Sequence, residues 1–175
     1  MASWNVRLGG VDERLFLALL SHRRPWMDRL MRTVTVLAEP PVIIAIALVL
    51  ASGAMPGIAR AGLEALVVLT ISHGMVQIIK RLAIRPRPRL PVGVQSVVQA
   101  PDRFSFPSGH ATAALAVALP LAGVLSAGVA APVLCLAVAV GVSRCYLGIH
   151  YPGDVVFGWG LATITWAVGH FTWFA

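Results

Sequence analysis

Long apolar runs alternate with short polar islands along this chain, and the islands carry most of the information. The runs occupy 41–54, 62–79, 109–127, 129–142 and 154–174. A hydrocarbon core about 30 Å thick asks for about 20 apolar residues per helical crossing. Residues 41–54 fall short of that and cross only if extended back to Thr33 or if neighbouring helices tilt. Trp166, Phe171, Trp173 and Phe174 near the last end fit an interfacial aromatic belt. Ala111, Ala114, Ala118, Gly141 and Gly158 are small enough for helices to meet closely.

Residues 11–38 read differently. VDERLFLALLS opens with acids where a helix dipole favours them, HRRP breaks the chain, and Pro25 restarts it at WMDRLMRTVTVLA. Arg23, Arg24, Asp28, Arg29 and Arg32 make this a poor span. The pattern predicts two short amphipathic helices at the interface, anchored by Trp26. A helical hairpin packed on the bundle is the plainer alternative. No internal repeat or low-complexity stretch is visible.

Composition sharpens the class. Hydrophobic residues make up 58% and charged ones 12% of the 175 residues, against about 25% charged in an ordinary soluble domain. Mean hydropathy is +0.81. The fold class that follows is all-α: a membrane-embedded bundle of five to six transmembrane helices with an amphipathic N-terminal segment. The whole chain reads as one domain, with residues 1–38 as that segment and 39–175 as the catalytic bundle. Net charge is +7, but the basic residues cluster, which disfavours nucleic acid as a partner and favours an anionic ligand or lipid headgroups. Cys135 and Cys145 suggest no disulfide framework, and residues 1–14 contain no apolar stretch of the kind a cleavable signal needs. Nothing here sets an oligomeric state.

Three polar islands lie at span boundaries: Lys80 to Arg89, Phe106 to His110, and Ser143 to Asp154. From 110 to 144 the chain crosses twice, so all three islands fall on one side of the membrane. Charged groups at such depth cost about 2.5–3.5 kcal/mol each on insertion scales and usually serve a site.

Each island has its own chemistry. In FPSGH, Ser108 sits near a helix N-cap, and free N–H groups around Gly109 and His110 make an anion site. Alone, the same residues could be a plain cap. In KRLAIRPRPRL, Lys80 ends a span and Arg87 follows in a proline-stiffened segment, with Arg81, Arg85 and Arg89 adding charge. Arginine suits bidentate phosphate binding, though a headgroup-binding cluster would look similar. In the third island Pro152 must lie in a first helical turn, so His150 precedes that helix and Asp154 lies within it. A carboxylate there could fix the imidazole tautomer and leave the other nitrogen nucleophilic, or it could merely cap the helix. Together the islands supply what phosphoryl transfer requires: cations, a helix N-terminus, a nucleophile and an acid for the leaving group. Only Asp102 and Asp154 are carboxylates of the site loops, too few for a two-metal centre, so no metal is expected.

The three islands together resemble the signature of the type 2 phosphatidic acid phosphatase family, membrane lipid phosphatases related to acid phosphatases and vanadium haloperoxidases. The family pattern K-x6-RP, PSGH and SR-x5-H-x3-D reads here as Lys80 to Arg87-Pro88, Pro107-Ser108-Gly109-His110, and Ser143-Arg144 through His150 to Asp154. The resemblance implies that His150 attacks phosphorus to form a phosphohistidine, that Asp154 orients it, and that His110 protonates the leaving oxygen. It implies that Lys80, Arg87, Arg144, Ser108 and the Gly109 backbone hold the phosphate, that water completes the hydrolysis, and that no cofactor takes part. The chain differs from longer members in having no strong span before residue 15.

His73, Gln77 and Lys80 recur at helical spacing, and this polar stripe is expected to face the site and support Lys80. A boundary site suits a lipid phosphate substrate: an isoprenyl diphosphate, undecaprenyl diphosphate foremost, with phosphatidylglycerophosphate, phosphatidate and lipid A phosphates as alternatives. The resemblance suggests a bacterial inner membrane and an extracytoplasmic site. If residues 11–38 do not cross, however, all but Arg60 of the 14 lysines and arginines fall on the active-site side, and the positive-inside rule then points to the cytoplasm. Two competing readings are a vanadate-dependent haloperoxidase and a non-catalytic lipid-phosphate binder or transporter. A binder would need the cations but not the His150–Asp154 pair with His110.

Overall fold

Prolines open three of the helices, because a residue without an N–H is tolerated in the first turn. The computed structural model describes residues 2–173. Its elements are α1 (Ala2–Ser21), α2 (Pro25–Val36), α3 (Pro40–Ala51), a 3-10 turn (Pro56–Ile58), α4 (Ala59–Ala83), α5 (Gly109–Ala122), α6 (Ala127–Tyr146) and α7 (Pro152–Trp173). Among the described residues there is no strand, only an isolated bridge between Pro86 and Phe104.

The protein is all-helical, and α4, α6 and α7 are long and apolar enough to cross a membrane. Helices α2 and α3 join at a 51° bend and pass the same test together, which allows a fourth span. Helix α5, with 14 residues, is apolar but shorter than a full crossing. The path through the bundle is simple. Helix α3 leaves the end where Glu39 meets His110, α4 returns to it, α5 leaves, α6 returns and α7 leaves again.

The N-terminal region forms two helices broken at HRRP, as the pattern predicts, but the first is longer than expected: a 20-residue helix precedes a 12-residue one. The Arg24 N–H donates to Tyr146 Oη, and at the other end of α2 Arg144 Nη1 donates to Thr35 Oγ1. Both ends of α2 thus meet the last turn of α6.

Alanine-rich α5 is the axis of the core. Nearly every side chain from His110 to Leu121 is buried, as expected for a helix apolar on all faces. It packs against α4, α6 and α7. A Cβ at Gly158 would lie 2.8 Å from both Ser108 O and Thr112 Oγ1. Glycine there lets α7 reach the start of α5, where the site lies.

Candidate active site

Two local devices bring the islands together. Helix α4 ends at Ile84, which takes the left-handed conformation (φ 46°) and turns the chain back over the bundle. The returning arm is then tied to the approach to α5: Ser105 N donates to Arg85 O at 2.9 Å, and Ser105 Oγ to Pro86 O at 3.0 Å. The third island is docked by Ser108 N, which donates to Asp154 O at 3.0 Å. These bonds hold the three motifs as one unit.

His150 is buried between α6 and α7. Its Nε2 lies 3.1 Å from Arg87 Nη1, and its Nδ1 lies 3.5 Å from Asp154 Oδ2. A guanidinium can only donate, so Nε2 carries the lone pair and the proton belongs on Nδ1, facing the carboxylate. At 3.5 Å that contact is an ion-pair distance and not a formed hydrogen bond. Burial pulls the imidazole down to about 4, against the opposing pull of Asp154, so His150 is neutral at pH 7. A neutral ring with a directed lone pair is a competent nucleophile.

The cations surround it. Arg87 Nη1 also donates to Ile149 O at 2.8 Å, and Arg87 Nε to Asp102 O at 2.9 Å. Asp102 bridges two of the phosphate-binding candidates, with Oδ2 2.6 Å from Lys80 Nζ and Oδ1 2.9 Å from Arg87 Nη2. Burial would raise the Asp102 carboxyl, but Lys80 and then Arg87 outweigh it and hold it below the usual range. Arg144, in the last turn of α6, is 2% exposed, and its Nε has no hydrogen-bond partner among the described residues. Ser108 is the N-cap of α5, as expected, but its hydroxyl makes no capping bond. The first bond of the helix runs from the Thr112 N–H to Ser108 O at 3.1 Å and does not involve the hydroxyl. This leaves Ser108 Oγ, which is buried, available to an anion.

His110 and His150 both line a cavity of about 590 Å³ between α3, α4 and α5. Lys80, Asp102 and Gly109 line its polar end, and Ile43, Ile44, Leu66 and Leu69 its apolar end. His110 Nε2 lies 3.2 Å from Glu39 Oε1. His73 and Gln77 line the same cavity. The bond of this stripe is internal, with Gln77 Nε2 and His73 Nε2 3.1 Å apart, while Lys80 is held by Asp102. The His73 ring lies beside Gly109, where an added Cβ would be 3.6 Å from Cε1.

The sequence marks Arg85 only as added charge and Asp12 only as an acid at a helix start, and it gives Glu39 and Thr35 no role. Arg85 Nη1 donates to Asp154 Oδ1 at 2.7 Å. Asp12 is buried, which its neighbours Glu13 and Arg14 in a charged helix start do not signal. Among the described residues no three His, Cys, Asp or Glu side chains form a metal-binding cluster.

Comparison with known proteins shows what the chain is similar to. The chain is 44% identical over 88 residues to the decaprenylphosphoryl-5-phosphoribose phosphatase of Mycolicibacterium smegmatis, covering 50% of this chain and 47% of that protein. The chain therefore spans about half the length of that curated relative. It is 27% identical to the undecaprenyl-diphosphatase BcrC of Bacillus subtilis, over 78% of this chain and 70% of that one. The crystal structure of a transmembrane PAP2 type phosphatidylglycerolphosphate phosphatase from Bacillus subtilis superposes with a TM-score of 0.77 at 26% identity, covering 93% of this chain and 84% of that one. Residues 61–174, which hold every motif described above, match the profile of the PAP2 superfamily, and the chain belongs to that family.

Proposed function

We propose that this protein is a membrane phosphatase that hydrolyses a lipid phosphate through a phosphohistidine on His150, without a metal. The observation that carries the reading is the orientation of His150, with Nε2 toward the Arg87 guanidinium and Nδ1 toward Asp154. A side chain that only bound phosphate would need no such polarity.

The substrate phosphate takes the place between Lys80 and Arg87 that Asp102 bridges, with Arg144, Ser108 and the first N–H groups of α5 on its other oxygens. His150 Nε2 attacks phosphorus as the bond to the leaving oxygen breaks, and His110 gives that oxygen its proton. The same histidine then takes a proton from water, whose oxygen attacks phosphorus, breaks the P–N bond and releases inorganic phosphate. Asp154 faces Nδ1 throughout and draws closer as the ring gains charge.

The cavity favours a lipid. Its cationic end fits a phosphate, and its Ile43–Leu69 end fits an alkyl or prenyl chain entering between helices. We infer a polyprenyl phosphate ester or diphosphate as substrate, with undecaprenyl diphosphate retained beside decaprenylphosphoryl-5-phosphoribose, since relatives named for each match this chain. Phosphatidylglycerophosphate is a second reading, favoured by the structural match over most of the chain. Phosphatidate and lipid A phosphates complete the panel. Helices α3 to α7 act as five crossings, with α1 and α2 at the active-site end, in the bacterial inner membrane. The site faces the extracytoplasmic side, and labelling of a cysteine placed in loop 91–100 by an impermeant reagent in intact cells tests this.

The decisive experiment is phosphate release from that panel in detergent with EDTA present. Release that vanishes in His150→Ala, together with an acid-labile phosphoenzyme in the wild type, is the expected result. Folded wild-type protein that releases nothing from any lipid would instead point to a binder or transporter. Release that persists in His150→Ala would remove the phosphohistidine.

A further inference from the structure

Asp12 lies in α1, outside the stretch that matches the family profile, yet it is only 7% exposed. A buried carboxylate must be matched by donors, and Asp12 has two. Its Oδ1 accepts the Gly153 N–H at 2.7 Å, and its Oδ2 accepts Arg85 Nη2 at 2.8 Å. A Cβ at Gly153 would lie 2.6 Å from that Oδ2, so glycine at the second position of α7 is what admits the Asp12 carboxylate.

Arg85 extends the contact. Its other terminal nitrogen, Nη1, is 2.7 Å from Asp154 Oδ1, and its guanidinium lies 4.5 Å over the Tyr151 ring. Tyr151 in turn meets Phe16 of α1, with ring centroids 5.5 Å apart. The guanidinium plane is therefore set by two carboxylates and a ring face. Asp154 is fully buried and is held on both oxygens: Arg85 takes Oδ1, and the Tyr151 N–H donates to Oδ2 at 2.8 Å. The oxygen bound by Tyr151 N–H is the one facing His150 Nδ1.

We propose that Asp12 and Arg85 are positioning residues for the nucleophile: α1 holds Arg85 through Asp12, and Arg85 fixes the Asp154 carboxylate so that Oδ2 is presented to His150. This rests on the reading of His150 as nucleophile and Asp154 as its partner. When Nε2 bonds to phosphorus, the ring gains positive charge and the Nδ1 proton becomes more acidic. Asp154 must stabilise that charge as an ionised acceptor at fixed distance. A guanidinium on the opposite oxygen stops the carboxylate rotating. Neither Arg85 nor Asp12 lines the cavity, so the chain acts through Asp154 and not on substrate. On this account Asp12 ties α1 to the catalytic device, and α1 is not merely a membrane-surface segment.

The test is a double-mutant cycle on the full-length protein in detergent, read by kcat, KM and inhibition by inorganic vanadate. Arg85→Lys should lower kcat on the order of 10²-fold, the cost of a small misplacement, with KM and vanadate inhibition unchanged. Asp12→Asn should lower kcat about 10-fold in the same pattern and add little to Arg85→Lys, because the two act in series. In an Asp154→Asn background, Arg85→Lys should cause no further loss. Leu20→Ala removes a buried apolar contact of α1 while leaving the charges intact, and should lower the melting temperature without lowering kcat. Multiplicative losses of Arg85→Lys and Asp154→Asn would overturn the proposal, as would folded Arg85→Lys and Asp12→Asn with wild-type kcat. A rise in KM or a loss of vanadate inhibition would make Arg85 a phosphate ligand instead. Failure of the underlying mechanism would show separately, as phosphate release that survives His150→Ala.

Discussion

The two walls of the site are built in opposite ways. On the nucleophile wall, His150 and Asp154 are buried, and the carboxylate is bonded on both oxygens by Arg85 and the Tyr151 N–H. On the cavity wall, Glu39 is 45% exposed in its side chain, and His73 and Gln77 bond to each other. Apolar Ile43, Ile44, Leu66 and Leu69 make up the rest. A closed ionic lattice suits a step that is the same for every phosphate ester, since preorganised charge avoids reorganisation as the reaction proceeds. An open, mostly apolar wall suits a leaving group that can differ between lipids.

The largest effects belong to the closed wall. His150→Ala should abolish phosphoenzyme and lower kcat by about 10⁴-fold or more for every lipid tested. Asp154→Asn should cost on the order of 10³-fold, with KM little changed, because the ring loses its orienting acceptor and its charge partner. Both losses should be equal across substrates, and steady-state kinetics on two lipids with different leaving groups checks this. A loss that varied strongly with the lipid would break the contrast between the walls.

The same wall makes a pH prediction. Burial holds His150 neutral down to about pH 4. Its imidazole resonance, assigned by its absence in His150→Ala, should therefore show no titration between pH 5 and 8 by NMR. A midpoint near the usual 6.5 would mean the wall is wetter than the structure implies. The linkage sign is also fixed. Because the folded value is depressed, the unfolded chain binds the extra proton first, and stability falls as pH drops from about 6.5 toward 4.

The closed wall was also the more legible in sequence, but only where the chain is local. His150 and Asp154 are one helical turn apart, and Pro152 between them marks the helix start, so their meeting follows from periodicity. Lys80, Arg87, Ser108, Gly109, His110 and Arg144 followed from span alternation, which places all three islands at one end. Arg85 and Asp12 did not, because a partner 73 residues away leaves no mark on spacing. Arg85 sits in the same basic run as Arg87, and only the left-handed turn at Ile84 decides which arginine meets which acid. The amphipathic reading of 11–38 caught the break at HRRP but missed that Asp12 turns inward. Crossing number was not legible: five to six spans are expected from the apolar runs, but three helices, or four with the bent pair, are long and apolar enough, since α3 and α5 are shorter than a bilayer is thick.

Effects on the cavity wall should be smaller and should depend on the leaving group. His110→Ala should cost on the order of 10²–10⁴-fold with a lipid alkoxide leaving group. The loss should be much smaller with p-nitrophenyl phosphate, whose phenolate leaves without a proton. Equal losses on both would remove His110 from the acid role. Asp102→Asn frees Lys80 and Arg87 from a carboxylate that the two cations hold below the usual range, and so ionised, at the pH of the assay. Inorganic phosphate should then inhibit a few-fold more tightly at any pH between 5 and 8. Weaker inhibition would mean that Asp102 aligns the two cations more than it competes for them.

The smallest effect is expected at His73. Its ring lies beside Gly109, bonds Gln77 and lines the cavity between its polar and apolar ends. His73→Leu should leave kcat within about 2-fold for a simple prenyl substrate and raise KM a few-fold for one whose leaving group carries hydroxyls, because a buried hydroxyl without a partner costs about 1–3 kcal/mol. Gln77→Leu should do the same, and the pair should be non-additive, since each orients the other. Uniform loss of kcat on both substrates would instead tie the stripe to Lys80 and the closed wall. No change on either would leave the His73–Gln77 bond as helix packing alone, with substrate choice resting on the shape of the apolar slot between α3 and α4.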